Sequence, residues 1–206
     1  TRLRAPPGRA FFLFEREESA MTTHQIVEEM LAHNRRFVQN REYERFSTSK
    51  YPDKKIAILT CMDTRLVELL LAALGIKNGD VKLIKNAGGL VTGPFDSAVR
   101  SLLVGIVELG VEEVMVIGHT DCGAGHINAE NMIRHLIERG VSQDHIDMMR
   151  YCGINFEKWL RGFDSVEENT AETVEMLRRH PLMPPDVTIR GYVIDSVTGQ
   201  VRPLER

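Results

Sequence analysis

The hydrophobic positions of this chain follow two periods, one helical and one typical of strands. The helical period begins at residue 22 and predicts an amphipathic helix over residues 22–40. Its apolar residues are Ile26, Met30, Leu31, Phe37 and Val38. This apolar stripe precedes the first strand-like run, so we expect the helix to pack on a neighbour.

Short, nearly continuous apolar runs follow, as is typical of buried parallel strands. Three of them are predicted strands at residues 55–60, 81–85 and 114–118. Helical spacing fills the two intervals between them, at 67–74 and 97–109, and a glycine follows each helix, which is a common way for a helix to end. Strand, helix, strand, helix, strand at this spacing predicts a parallel sheet with right-handed crossovers.

The remaining chain continues the same alternation. Further helices are predicted at 128–139, 142–151, 155–161 and 166–180, and a strand at 187–194 is followed by a turn and a short return at 200–202. The predicted fold class is therefore α/β, with three α/β/α layers in which helices flank a central, mostly parallel sheet.

Composition fits one such domain over residues 21–206. The 206 residues are 43% hydrophobic and 27% charged, with a formal net charge of −3. No block of lysine and arginine indicates a nucleic acid or acidic membrane partner, and no run approaches the roughly 18 to 20 apolar residues that span a bilayer. Three cysteines are too few, and odd in number, for a disulfide framework, and thiolate ligands of a metal would indicate a reducing, cytoplasmic location.

The first twenty residues are interpreted separately. The chain begins without methionine, so Met21 is taken as the native start. The apolar run at 10–14 is too short for a secretory signal. We expect residues 1–20 to be an N-terminal extension that is disordered or was added for expression.

Three residues with affinity for zinc follow two of the predicted strands. Cys61 follows the first strand, and His119 and Cys122 follow the third. Carboxyl ends of parallel strands are where ligands bind in open α/β sheets. One imidazole and two thiolates leave the fourth position of a tetrahedral zinc ion open, as in catalytic sites.

The same two segments contain further polar residues in a defined order. Asp63 and Arg65 complete a CxDxR sequence at residues 61–65, and residues 119–122 read HxxC. Together with Lys85-Asn86-Ala87-Gly88, these motifs resemble the prokaryotic branch of the β-class carbonic anhydrases. The resemblance covers residues 51–125 closely and the rest in general layout.

The resemblance implies a carbonic anhydrase, a lyase with one Zn²⁺ per chain held by Cys61, His119 and Cys122. Zinc-bound hydroxide would hydrate carbon dioxide reversibly to bicarbonate and a proton. In this family Asp63 orients the nucleophile and Arg65 keeps Asp63 ionised. Lys85, Gly88 and Gly123 are expected to line the substrate pocket. It also implies a homodimer or higher homo-oligomer, in which the N-terminal helix embraces a second subunit.

Two alternatives stay open. A hydrolase of carbon disulfide or carbonyl sulfide would use the same zinc site and differ in how substrate enters. A non-catalytic zinc-stabilised interaction or redox-sensing module would need a fourth protein ligand. Cys152 fits none of these schemes and is predicted to be a core residue.

Overall fold

The computed structural model describes residues 21–205, which divide into two compact units between Ser47 and Thr48. The first unit is built on the predicted N-terminal helix. Helix α1 spans Thr23–Gln39 and begins with a capping box between Thr22 and Gln25. A 3₁₀ turn follows at Glu42–Phe46.

The apolar face of α1 is exposed. Large apolar side chains on this helix are exposed, namely Ile26, Val27, Met30, Leu31 and Val38. No residue of α1 itself is buried within the described chain. Its packing on a neighbour stays a prediction.

The second unit contains a five-stranded sheet. The strands are β1 Ile56–Cys61, β2 Val81–Asn86, β3 Glu113–His119, β4 Thr188–Ile194 and β5 Val201–Pro203. Their order across the sheet is β2-β1-β3-β4-β5, and all neighbouring pairs are parallel except β4 and β5. The predicted α/β class and mostly parallel sheet are confirmed.

Six helices accompany the sheet in the described part of this unit. They are α2 Leu69–Ala73, α3 Ser97–Leu109, α4 Ala129–Glu138, α5 Gln143–Tyr151, α6 Phe156–Trp159 and α7 Val166–Arg178. Helix α3 has the predicted bounds because both ends carry strong signals. The side chain of Asp96 accepts from the Val99 N–H, and Gly110 ends the helix in the left-handed region, at φ 74°.

Side chains of the strands alternate between two apolar layers. Ala57 and Leu59 of β1 face a core shared with α3 and α7, in which Leu102 is fully buried. Ile58 faces the opposite layer, where it packs with Leu70 of α2. Burial of one such leucine stabilises the fold by roughly 1.5–3 kcal/mol. Both faces of the sheet are therefore covered by helices, which confirms the three-layer arrangement.

Helices α4, α5 and α6 enclose a smaller cluster of their own, built on Ile133, Ile146 and Phe156. The prediction that Cys152 is a core residue is wrong. Cys152 follows the last residue of α5 and is exposed, because the buried face of that helix is occupied by Ile146. Within residues 21–205, no helix is both long and apolar enough to cross a membrane.

Candidate metal centre

The sheet brings the three predicted ligands to one edge. Strands β1 and β3 are parallel neighbours in which Thr60 lies opposite Ile117, so both strands end at the same level. Cys61 is the last residue of β1 and His119 the last of β3. Cys122 follows three residues later, and the ligand atoms of all three lie within 4.8 Å of one another.

The three ligands are buried, and their donor atoms face each other. The Sγ atoms of Cys61 and Cys122 are 3.7 Å apart, and neither cysteine is in a disulfide. The His119 side chain has no exposed surface. Buried thiols and an imidazole in contact form the kind of donor set that zinc prefers.

Hydrogen bonding fixes the tautomer of His119. Its Nδ1 lies 2.8 Å from the carbonyl oxygen of Thr120, and a carbonyl can only accept, so Nδ1 carries the proton. The Nε2 atom is buried and has no hydrogen-bond partner among the described residues. A buried nitrogen without a partner is costly unless a ligand satisfies it. The lone pair of Nε2 is therefore available to a metal ion.

The charges of the three donors also fit a cation. Burial opposes ionisation of Cys61, but the nearby His119 ring and the backbone N–H groups of Asp63 and Gly88 outweigh it and lower its pKa to about 7. Burial and the neighbouring Cys61 raise the pKa of Cys122 to about 11. Although burial opposes its protonation, contact with Cys61 raises the pKa of His119. A positive charge between the two thiols would therefore favour the ionisation of both at neutral pH.

Asp63 and Arg65 form the predicted pair beside these donors. Arg65 Nε and Nη2 donate to the two carboxylate oxygens of Asp63, at 3.0 and 2.8 Å. The Asp63 Oδ2 atom lies 3.9 Å from Nε2 of His119. The Arg65 side chain is the main cause that holds the pKa of Asp63 far below its usual range. Asp63 is thus an ionised acceptor at neutral pH next to the candidate metal position.

An open cavity of about 360 Å³ lies against this group. It is lined by Cys61, Met62, Asp63, Thr64, Ala87, Gly88, Gly123, Ala124 and Ile127. Apart from the Cys61 thiol, the Asp63 carboxylate and the Thr64 hydroxyl, the side chains of the cavity wall are small or apolar.

The predicted pocket residues are placed in two different surroundings. Gly88 and Gly123 line the cavity. Lys85 lies on β2 opposite Thr60, and its Nζ is buried without a hydrogen-bond partner among residues 21–205. Lys85 is not among the residues that line the cavity, and its part in the pocket stays a prediction.

Two residues beside the site are not among the predicted site residues. Gly89 adopts φ 64°, and a Cβ there would lie 2.8 Å from the backbone nitrogen of Cys61. Asp121 also has a left-handed backbone, at φ 53°, and contacts Arg65. For Gly89 the sequence signal was the Gly88-Gly89 pair, because glycines let the backbone approach another segment closely. For Asp121 the only signal was its position inside the HxxC motif.

Comparison with known proteins agrees with this arrangement. A family model described as carbonic anhydrase matches residues 56–201. The chain is 48% identical over 176 residues to the Bacillus subtilis (strain 168) protein named "Putative carbonic anhydrase YtiB", covering 85% of this chain and 94% of that protein. It is 34% identical over 160 residues to a protein of Acidithiobacillus thiooxidans named carbon disulfide hydrolase, with coverages of 73% and 77%.

The fold is also found among solved structures. The beta-carbonic anhydrase isoform I of Trichomonas vaginalis superposes with a TM-score of 0.78 at 31% sequence identity. The match covers 89% of this chain and 98% of that one.

Proposed function

The chain belongs to the β-class carbonic anhydrases, and from this premise we propose that it binds one zinc ion per chain and hydrates carbon dioxide reversibly to bicarbonate and a proton. Cys61, His119 and Cys122 would hold the ion. The observation that carries the proposal is the buried, unpartnered Nε2 of His119 facing two thiols. When bound, zinc supplies a Lewis acid that makes a coordinated water acidic near neutral pH.

The protein's own groups orient the reacting water. Asp63 is ionised and lies beside His119. Its Oδ1 accepts from both the main-chain N–H and the Nε–H of Arg65, whereas Oδ2 accepts once from Arg65 and keeps an acceptor position. Asp63 can therefore accept a hydrogen bond from the water and turn its lone pair towards the cavity. Arg65 holds the carboxylate in place and, by lowering its pKa, keeps it charged near neutral pH.

The cavity suits a small molecule without charge. Ala87, Ala124 and Ile127 form its apolar part and offer no side-chain hydrogen bond to hold a polar ligand. Carbon dioxide has neither net charge nor dipole, so little desolvation opposes its entry. Bicarbonate is an anion, and beside the Asp63 carboxylate and an apolar wall it is favoured to leave for water.

A second candidate is hydrolysis of carbon disulfide. It is favoured by the 34% identity to the Acidithiobacillus thiooxidans protein of that name. The same ligands and the same apolar wall would serve both substrates. The higher identity to the Bacillus subtilis relative is the reason that we place carbon dioxide first.

We further propose a homodimer in a reducing, cytoplasmic compartment. The exposed apolar side chains of α1 support a second copy as the covering surface, and the free buried thiols support reducing conditions. Sedimentation of the full chain is expected to give a dimer at micromolar concentration. A monomer throughout that range would contradict the proposal.

The central test is stopped-flow hydration of carbon dioxide by protein whose metal content has been quantified. Zinc near one per chain and rapid turnover are expected, and Cys61→Ala should lose both because one of three ligands is gone. Parallel measurement of sulfide release from carbon disulfide separates the two candidates. Bound zinc without either activity would leave the metal a structural role and overturn the proposal.

A further inference from the structure

The guanidinium of Arg65 is held from two sides. Besides its two bonds to Asp63, Nη1 donates to the Asp121 carboxylate at 2.8 Å, and Nη2 donates to the Asp121 main-chain carbonyl at 2.8 Å. Four of the five N–H groups of a guanidinium are thereby used. The two aspartates come from different elements, since Asp63 follows β1 and Asp121 follows β3.

The backbone of Asp121 is shaped for this contact. Its φ of 53° lies in the left-handed region, which few residues other than glycine, asparagine and aspartate adopt readily. Such conformations persist where the surrounding contacts impose them. Here the conformation accompanies an arrangement in which the carbonyl and the carboxylate of one residue both accept from Arg65.

Asp121 also belongs to the loop that carries the metal ligands, because it lies between His119 and Cys122. Asp63 and Arg65 are only two residues apart on one turn. Their mutual bonds make the pair rigid internally, but those bonds do not tie it to the end of β3. The contacts of Arg65 with Asp121 supply that link.

We propose that Asp121 is a positioning residue, which holds Arg65 and, through it, orients the Asp63 carboxylate relative to His119 and Cys122. This inference rests on the proposed function, in which Asp63 orients the reacting water. A purely structural ion pair would instead affect only stability, and weakly, because the Asp121 side chain is 79% exposed.

Three substitutions distinguish the effect of the Asp121 carboxylate from the effect of its backbone conformation. Asp121→Asn keeps a side-chain oxygen and tolerates the left-handed region. Asp121→Ala removes the acceptor and strains the backbone, whereas Asp121→Gly removes the acceptor without strain. Lys55→Gly is the matched control. Lys55 has the same left-handed conformation, at φ 56°, at the opposite end of the sheet.

The first readout is the Arg65 Nε–H resonance in the ¹⁵N spectrum of the metal-free, reduced protein, assigned by its loss in Arg65→Lys. We expect this resonance to shift or broaden in Asp121→Ala and Asp121→Gly, and to stay near its wild-type position in Asp121→Asn and Lys55→Gly. The Nε–H donates to Asp63, so its resonance reports whether the Asp121 contacts at Nη1 and Nη2 determine the position of the guanidinium against Asp63. It requires neither zinc nor turnover.

The second readout is steady-state hydration with zinc content matched to wild type. Loss of one charge-assisted bond predicts a fall in kcat of about 5- to 30-fold in Asp121→Ala and Asp121→Gly, with KM within about twofold. The fall in kcat should be smaller in Asp121→Asn than in Asp121→Ala, and kcat should be unchanged in Lys55→Gly.

Two results would overturn the proposal. One is an unmoved Arg65 resonance in both Asp121→Ala and Asp121→Gly, whatever happens to kcat. The other is a moved resonance with wild-type kcat, because Asp121 would then hold Arg65 without consequence for the reaction. If the wild type hydrates no carbon dioxide, the proposed function fails, and an unmoved Nε–H resonance would still separately reject the positioning of Arg65 by Asp121.

Discussion

The two ends of the parallel sheet contain the same unusual backbone conformation in different surroundings. Lys55 precedes β1 at the amino end, and Asp121 follows β3 at the carboxyl end, with φ of 56° and 53°. Each residue contacts one partner through both its carbonyl and its side chain. The Lys55 carbonyl accepts from the Glu112 N–H while its Nζ pairs with the Glu112 carboxylate.

The two ends differ in the group that Lys55 or Asp121 contacts. At the amino end the partner is main chain plus an exposed carboxylate, and the contact joins the starts of β1 and β3. At the carboxyl end the partner is the guanidinium that also holds Asp63. The same backbone conformation therefore joins two strands at the amino end and supports the candidate reaction centre at the carboxyl end.

The two ends of the sheet also differ in how closely other atoms pack against the backbone. Substitutions at two glycines test this difference. Gly89 lies against the end of β1, where an added Cβ would meet backbone atoms of Thr60 and Cys61 at 2.8 Å. Gly110 lies just before β3, and an added Cβ would meet nothing within 4 Å. Both have φ in the left-handed region, at 64° and 74°, so the conformational cost of alanine is similar at the two sites.

We expect Gly89→Ala to lower the free energy of unfolding by roughly 2 to 4 kcal/mol, because strain and overpacking add. Gly110→Ala should cost about 1 kcal/mol from strain alone. Urea unfolding of the two variants measures the difference. Gly89→Ala should also weaken zinc binding, since it displaces the strand end that carries Cys61. Equal losses of stability in the two variants would show that the carboxyl end is no more tightly packed than the amino end.

Much of this architecture could be predicted because it depends on local signals. The strands are short apolar runs, and β2 begins at the predicted Val81. Helix α3 combines a capping aspartate with a terminal glycine, so both of its bounds were predicted correctly. Cys61, His119 and Cys122 come together because parallel strands end at a common edge, which the order of motifs along the chain already implies.

The missed features depend on contacts between distant residues or on one dihedral angle. Arg65 and Asp121 are 56 residues apart, and their contact needs a left-handed backbone that the sequence does not specify. The cost of a side chain at Gly89 depends on how closely β1 passes. Exposure of Cys152 follows from which face of α5 is buried, and a single cysteine carries no signal for that.

The smallest effect on stability and activity is expected from removing the ion pair at the amino end of the sheet. Lys55 and Glu112 are 59% and 68% exposed, so Glu112→Ala should lower stability by only about 0.2 to 1 kcal/mol, less at 1 M salt, with kcat unchanged. Asp121→Ala removes a partner that is even more exposed, at 79%, and should cost similarly little stability beyond its backbone strain. Urea unfolding at low and high salt, with kcat measured on the same samples, compares the two. A fall in kcat of more than about threefold in Glu112→Ala would contradict the distinction, because an ion pair that touches no part of the candidate centre would then affect the reaction.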